Sequence, residues 1–214
     1  MPRAARIDDP VSHPWPPALT GGPGSPNVTI GGRRAWRALP AALGGAVQAA
    51  AVAMQALMDA LLLNPALAAP LLVNIDIALH GASRAAATEG NPAAVASATT
   101  ALTALHTTNT TMTTAWTTAS AAPGGQPAAD EAYAEGLRAA AAATAAALFS
   151  TIGAMFDMHV CCTPLPAHGP GLVTVGSSTV SVNGLPLARE SDPVMEASGG
   201  ANAIVGGCTT VSTS

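Results

Sequence analysis

The chain has 214 residues, a formal net charge of −4 and only 9% charged residues, whereas an average soluble domain has about 25%. This length fits one or two domains. The net negative charge, with eight Arg that form no basic stripe, argues against nucleic acid as a partner. So few charges cannot cover a large free surface, and we expect the protein to work docked in an assembly or against a membrane. Residues 1–10 contain no apolar run, so no signal peptide is predicted.

Residues 1–39 are predicted to form short strands and turns. They are rich in Pro and Gly, and the run Val-Thr-Ile at 28–30 is typical of a strand. We interpret this segment as the first part of a small β-domain.

Residues 40–156 are predicted to form an inserted helical region. The region is Ala-rich, and segments containing Pro or Gly interrupt it at 64–70, 90–94 and 122–130. The breaks predict about four helices, at roughly 41–63, 66–88, 92–120 and 129–156. The last helix carries no charge from residue 139 onward, and three interpretations stay open for it. It is a buried helix of a soluble bundle, part of a membrane-inserting hairpin, or a partner-binding coiled coil.

Residues 157–214 return to the β-type pattern. Val180 and Val182 alternate with small polar residues, which is typical of a strand with one buried face. The dipeptide Asn183-Gly184 is a hairpin signal. We interpret this segment as the second part of the β-domain, so the predicted fold class is α+β.

Two sequence patterns each occur three times in the β-segments. The first is an Asp with a potential metal ligand four residues later, at Asp9–His13, Asp157–Cys161 and Asp192–Glu196. The second is a Gly-x-x-(Asn/Thr)-Val element, at 24–28, 176–180 and 207–211. A repeat within so short a region predicts one β-fold of three similar units, interrupted by the helices.

A structural zinc site is predicted from His13, His159, Cys161 and His168. Zinc prefers four N, S or O ligands in tetrahedral array, and such sites stabilise domains whose cores are small. Side chains two apart in an extended segment point to the same side, so one ion can take both His159 and Cys161. The alternative is that these are ordinary loop histidines and a buried free Cys. Glu196 and Cys162 are the reserve candidates for a ligand position.

Enzymatic activity is not predicted. The sequence has no Gly-x-Ser-x-Gly motif, and the Gly-rich segment 21–25 lacks the Lys and the following helix of a phosphate loop. A full set of four protein ligands favours a closed structural metal site over an open catalytic one.

The two β-segments, 1–39 and 157–214, resemble the PAAR-repeat family, the tip proteins of contractile injection systems such as type VI secretion. The resemblance covers the β-segments and leaves the helical region aside. At 183–189 the chain reads Asn-Gly-Leu-Pro-Leu-Ala-Arg, where the family carries its name-giving Pro-Ala-Ala-Arg, with Leu187 replacing one Ala. The matching segments are 4–13, 24–37, 157–161, 168–171, 176–192 and 206–211.

The resemblance implies a small conical β-repeat domain with pseudo-threefold symmetry and a bound zinc. Such a tip is not an enzyme. It caps and sharpens a trimeric spike protein of the valine-glycine-repeat type, one tip per trimer, and helps to pierce the target envelope or carry cargo. The family's zinc ligands, three His and one Cys, correspond here to His13, His159, Cys161 and His168. The expected localisation is the cytoplasm, followed by assembly into the apparatus and ejection on contraction.

The chain departs from the family pattern in two places, and the second of them suggests an alternative function. Glu196 stands where many members carry Cys or His, and the helical region has no counterpart in the minimal family fold. In family relatives that act as effectors, an inserted segment is membrane-active and needs a chaperone. The alternative is therefore a membrane-active effector or cargo adaptor, whose helices contact a membrane, a cargo or a chaperone.

Overall fold

The computed structural model describes residues 1–12, 18–64, 67–160, 168–198 and 200–214. Within this described part, four helices follow one another: α1 (Ala41–Leu63), α2 (Ala68–Thr88), α3 (Ala93–Ser120) and α4 (Gln126–Gly153). Two short strands precede them, β1 (Thr29–Ile30) and β2 (Arg33–Arg34). The strands after them are β3 (Met158–Val160), β4 (Pro170–Val173), β5 (Ser181–Val182), β6 (Leu185–Pro186), β7 (Pro193–Glu196) and β8 (Ala201–Ala203). Four helices with small antiparallel sheets confirm the predicted α+β class and helix number.

Proline and glycine determine where the helices begin and end. Pro40 and Pro92 stand immediately before α1 and α3, and Pro127 lies in the first turn of α4, where its missing N–H costs no helical hydrogen bond. Gly90 and Gly124 follow α2 and α3 with φ of 93° and 74°, a left-handed backbone that glycine adopts without strain. Because Pro is compatible with a first turn, α4 begins before the predicted residue 129.

The helices pack in sequential order, and α1 also contacts α4, so they form a small up-and-down bundle. Its core is mostly aliphatic, and its fully buried large side chains include Leu43, Met54, Leu79, Leu137 and Phe149. By length and composition alone, α1 and α4 are long and apolar enough to cross a membrane. The core helices of soluble proteins pass the same test.

The strands form one four-stranded antiparallel sheet, in the order β3-β4-β7-β8, and two hairpins, β1-β2 and β5-β6. Each hairpin has a two-residue loop whose central residues both have positive φ, at Gly31-Gly32 and Asn183-Gly184. This is the loop geometry that matches the twist of the flanking strands. The hairpin predicted from Asn183-Gly184 is therefore confirmed.

Strands β4 and β7 join the helices to the rest of the β-part. Their register partners Leu172 and Met195 belong to the core of the helical bundle. The next pair, Val173 and Val194, belongs to the separate core that contains the fully buried Trp36. Successive side chains alternate between the two faces of a strand. The sheet therefore has one face in each core.

Helix α1 approaches the end of β4 closely. The backbone N–H of Leu39 donates to the carbonyl of Val173 at 2.9 Å. A Cβ atom on Gly44 would collide with the carbonyl oxygen of Thr174. The absence of a side chain at residue 44 is what allows this approach.

Candidate functional site

One Arg–Asp contact occurs three times in the β-part. In each copy the backbone N–H and Nε–H of the Arg donate to Oδ2 of the Asp, and Nη2 donates to Oδ1. The three backbone nitrogens lie 2.7, 2.8 and 2.6 Å from Oδ2. All three carboxylates are buried. The pairs are Arg6–Asp9, Arg37–Asp157 and Arg189–Asp192.

The second pair encloses the helical region. Arg37 and Asp157 are 120 residues apart, whereas the partners in the other two pairs are 3 residues apart. Helices α1 to α4 therefore lie inside one repeat, between an Arg and the Asp that it binds. The hydrogen bond to Asp157 raises the pKa of Arg37 despite the opposing effect of burial.

The backbone around these Arg residues closes a ring of three hydrogen bonds. The N–H of Trp36 donates to the carbonyl of Ala5, that of Ala188 to Trp36, and that of Ala5 to Ala188, at 3.0, 3.0 and 2.8 Å. A second contact repeats around this ring at 3.0 Å each time: Ala35 N–H to Val28, Leu187 N–H to Val180, and Ala4 N–H to Val211. The three acceptors are the Val residues of the Gly-x-x-(Asn/Thr)-Val elements.

The sequence pattern identified the three Asp residues of these contacts but did not identify their Arg partners. A signal for them exists, because Arg stands three residues before Asp at both uninterrupted copies. The second pair does not show this spacing, because the helices separate Arg37 from Asp157 in the sequence.

Two of the predicted zinc ligands, His159 and His168, lie beside Glu196. His159 is on β3, Glu196 ends β7, and Gly171 of β4 is the register partner of both. Nε2 of His159 lies 3.8 Å from Oε1 of Glu196, and Nδ1 of His168 lies 2.6 Å from Oε2. The side chains of His159 and Glu196 are fully buried, whereas that of His168 is 26% exposed.

Two glycines make room for this group, which we call the His159–Glu196–His168 cluster. A Cβ on Gly171 would lie 3.2 Å from Cγ of Glu196 and 3.4 Å from Cδ2 of His159. A Cβ on Gly200 would lie 2.9 Å from Oε2 of Glu196 and 3.4 Å from Nδ1 of His168. Any larger residue at either position would crowd the polar side chains.

Burial raises the pKa of Glu196, and its contacts with His168 and Asn202 partly oppose this effect. A carboxylate without access to water is stable in its charged form only beside hydrogen-bond donors or positive charge. In the cluster, Nδ1 of His168 lies 2.6 Å from the carboxylate, whereas Nε2 of His159 stays 3.8 Å away. A cation bound nearby would lower the pKa of Glu196 and so oppose the effect of burial.

The other predicted ligands, His13 and Cys161, and the reserve candidate Cys162, lie outside the described residues. Within the described ranges, no group of three or more His, Cys, Asp or Glu side chains has an arrangement that could hold a metal ion. Ser12, which precedes His13, exchanges two hydrogen bonds of 2.8 Å with Ala203 of β8. Val160, which precedes Cys161, ends β3.

Comparisons of the chain with family models, with curated proteins and with solved structures found no match.

Proposed function

We propose that this protein is a non-enzymatic, zinc-stabilised tip that caps the trimeric spike of a contractile injection apparatus. The observation that carries the proposal is the contact set that recurs three times within one chain. Three Arg–Asp pairs with buried carboxylates surround one closed ring of three backbone hydrogen bonds.

A chain with three equivalent units has pseudo-threefold symmetry and can present the same surface to each of three identical partner chains. A trimeric spike of the valine-glycine-repeat type is a partner with that symmetry. In this proposal the repeats taper to a cone, and the tip is assembled in the cytoplasm and ejected on contraction. Coexpression with such a spike should yield a complex that stays together in size-exclusion chromatography. Separate elution of the two proteins would contradict the proposal.

The proposed zinc ion is held near the apex by His13, His159, Cys161 and His168. The donor chemistry supports this set, because two imidazoles meet a buried carboxylate where Gly171 and Gly200 make room for these side chains. Binding of zinc supplies folding free energy, on the order of 10 kcal/mol or more in small structural sites.

Elemental analysis of the purified chain tests the metal site. We expect one zinc per chain, and we expect His168→Ala and Cys161→Ser to lower the zinc content and the melting temperature. His106→Ala is the matched control, since His106 is an exposed histidine that contacts Asp76 on the helical bundle. Freshly purified wild type without zinc would refute the site.

A second function is favoured by one surface of the helical bundle. Leu62, Leu63 and Leu67 are exposed around the connection between α1 and α2, and Val73 and Ile77 are exposed on α2. Apolar surface of this kind marks membrane or protein contact sites. The helices would then act as a membrane-active effector module, or as the attachment point of a cargo or chaperone.

Co-sedimentation of the full chain with liposomes tests the membrane function. The triple variant Leu62→Ser, Leu63→Ser, Leu67→Ser should reduce sedimentation if the helices enter the bilayer. Val205→Ser is the control, because Val205 is an exposed apolar residue of the β-part. If the wild type stays in the supernatant, the membrane function is wrong.

A further inference from the structure

Glu196 occupies the position at which the other two repeat units carry a predicted zinc ligand. Glu196 follows Asp192 by four residues, as His13 follows Asp9 and Cys161 follows Asp157. Two units therefore carry a good zinc ligand at this position, and the third carries a carboxylate. Its side chain is fully buried at the end of β7.

The distances in the His159–Glu196–His168 cluster distinguish a hydrogen bond from shared metal coordination. Two ligand atoms of one tetrahedral zinc ion lie about 3.3 Å apart, because each zinc–nitrogen or zinc–oxygen bond is about 2.0–2.1 Å long. Nδ1 of His168 and Oε2 of Glu196 are 2.6 Å apart, which is too short for two ligands of one ion. The separation is slightly shorter than the roughly 2.7–2.9 Å of a charge-assisted N–H···O contact, so the two groups form a close imidazole–carboxylate pair.

This contact also determines which nitrogen of His168 is available. When Glu196 is ionised, its oxygens can only accept hydrogen bonds, and the tautomer of His168 that satisfies the contact carries its proton on Nδ1. The other ring nitrogen, Nε2, then has a lone pair for a metal ion. Metal-binding histidines commonly hold their second nitrogen on a carboxylate in this way, which fixes the ring orientation and makes the ligand more basic.

We propose that Glu196 is the positioning residue of the zinc site: its carboxylate holds Nδ1–H of His168, so that His168 presents Nε2 to the metal. This inference rests on the proposed zinc site. It explains why the third unit carries Glu instead of Cys or His. The unit supplies the partner of a ligand and no ligand of its own. Gly171 and Gly200 serve the same arrangement, because a side chain at either one would crowd the carboxylate.

The test is zinc affinity, measured by competition with a chromophoric chelator, for wild type, Glu196→Gln and Glu196→Ala. We expect both substitutions to weaken zinc binding by about 10–100-fold, the usual effect of losing such a partner. Glu196→Gln keeps the size of the side chain, so a role in packing alone would leave its affinity unchanged. Glu190→Gln is the matched control, since it removes one charge on the same segment, where Glu190 binds the half-exposed Arg3.

Two further measurements separate positioning from direct coordination. With Co²⁺ in place of zinc, the visible absorption bands of Glu196→Gln should match those of wild type, because the ligand set is unchanged. In a His168→Ala background, Glu196→Gln should cause no additional loss of affinity, because Glu196 acts through His168. Altered Co²⁺ bands would show that Glu196 is itself a ligand, and would overturn the inference.

The outcomes also separate this inference from the zinc site on which it rests. A wild type that binds no zinc overturns the proposed site and this inference together. A wild type that binds one zinc, with Glu196 variants that bind it equally tightly, overturns the inference and leaves the zinc site standing.

Discussion

The position of the Arg37–Asp157 pair shows where the chain can be cut and rejoined to remove the helical region. Deletion of residues 39–155 joins Ala38 to Phe156 and places Arg37 and Asp157 three residues apart, the spacing in the other two pairs. The backbone nitrogen of Arg37 already lies 2.8 Å from Oδ2 of Asp157. Joining the two chain ends therefore costs little conformational entropy. We expect the shortened chain to fold and to bind zinc.

The cost of the deletion follows from the face of the sheet that it exposes. Leu172 and Met195 are buried against the helices and would become accessible to water. Burial of such a side chain contributes about 1.5–3 kcal/mol, so the two together account for about 3–6 kcal/mol. That loss is a large part of the total of about 5–15 kcal/mol for a typical domain. Bound zinc should offset it, and chelation should unfold the shortened chain more readily than the full chain.

The assay combines zinc content with two-dimensional amide NMR and thermal unfolding. Leu172→Thr and Met195→Thr, added to the shortened chain, prevent aggregation through the exposed face. A deletion of 38–156, which joins Arg37 directly to Asp157, is the control and should fail, because the three-residue spacing is lost. Poorly dispersed spectra with zinc present, in the shortened chain and in its Thr variant, would refute the idea that the β-part folds without the helices.

The remaining predictions concern single residues, each measured by chemical denaturation. Asp157→Ala should cost about 3–5 kcal/mol, because it leaves a nearly buried guanidinium without its partner. Glu190→Ala breaks a more exposed pair and should cost about 1 kcal/mol or less. Equal losses for these two would contradict the role given to the buried pair. Gly44→Ala should cost about 1–3 kcal/mol, because its Cβ meets the backbone of Thr174. A Cβ at Gly45 would have nothing within 4 Å, so Gly45→Ala should instead stabilise the protein by up to about 1 kcal/mol. A Gly44→Ala protein as stable as Gly45→Ala would show that the helix does not pack tightly on the sheet.

Local features of the sequence predicted local features of the fold. The limits of α1 at Ala41–Leu63 agree with the predicted 41–63, because Pro40 and the break near residue 64 are read directly from the sequence. The hairpin at Asn183-Gly184 was predicted for the same kind of reason, since its loop needs two residues with positive φ.

Contacts between distant segments were beyond such reasoning. The sequence does not reveal that Arg37 binds Asp157 across four helices, because no local preference connects residues 120 apart. The meeting of His159 and Glu196 depends on strand register, with Gly171 between them in the sheet. The sequence proposed His159 and His168 as ligands of one site and Glu196 as a reserve. It did not indicate that the carboxylate contacts His168.

The central claim is that one copy of this chain caps a trimer of spike chains, and the mass of the intact complex tests it most directly. Native mass spectrometry of the chain copurified with a trimeric spike of the proposed type should give one copy of this chain and one zinc ion for every three spike chains. A complex with three copies per spike trimer would contradict the claim that a single chain supplies all three equivalent surfaces. A spike trimer that carries no copy would contradict the claim of docking itself.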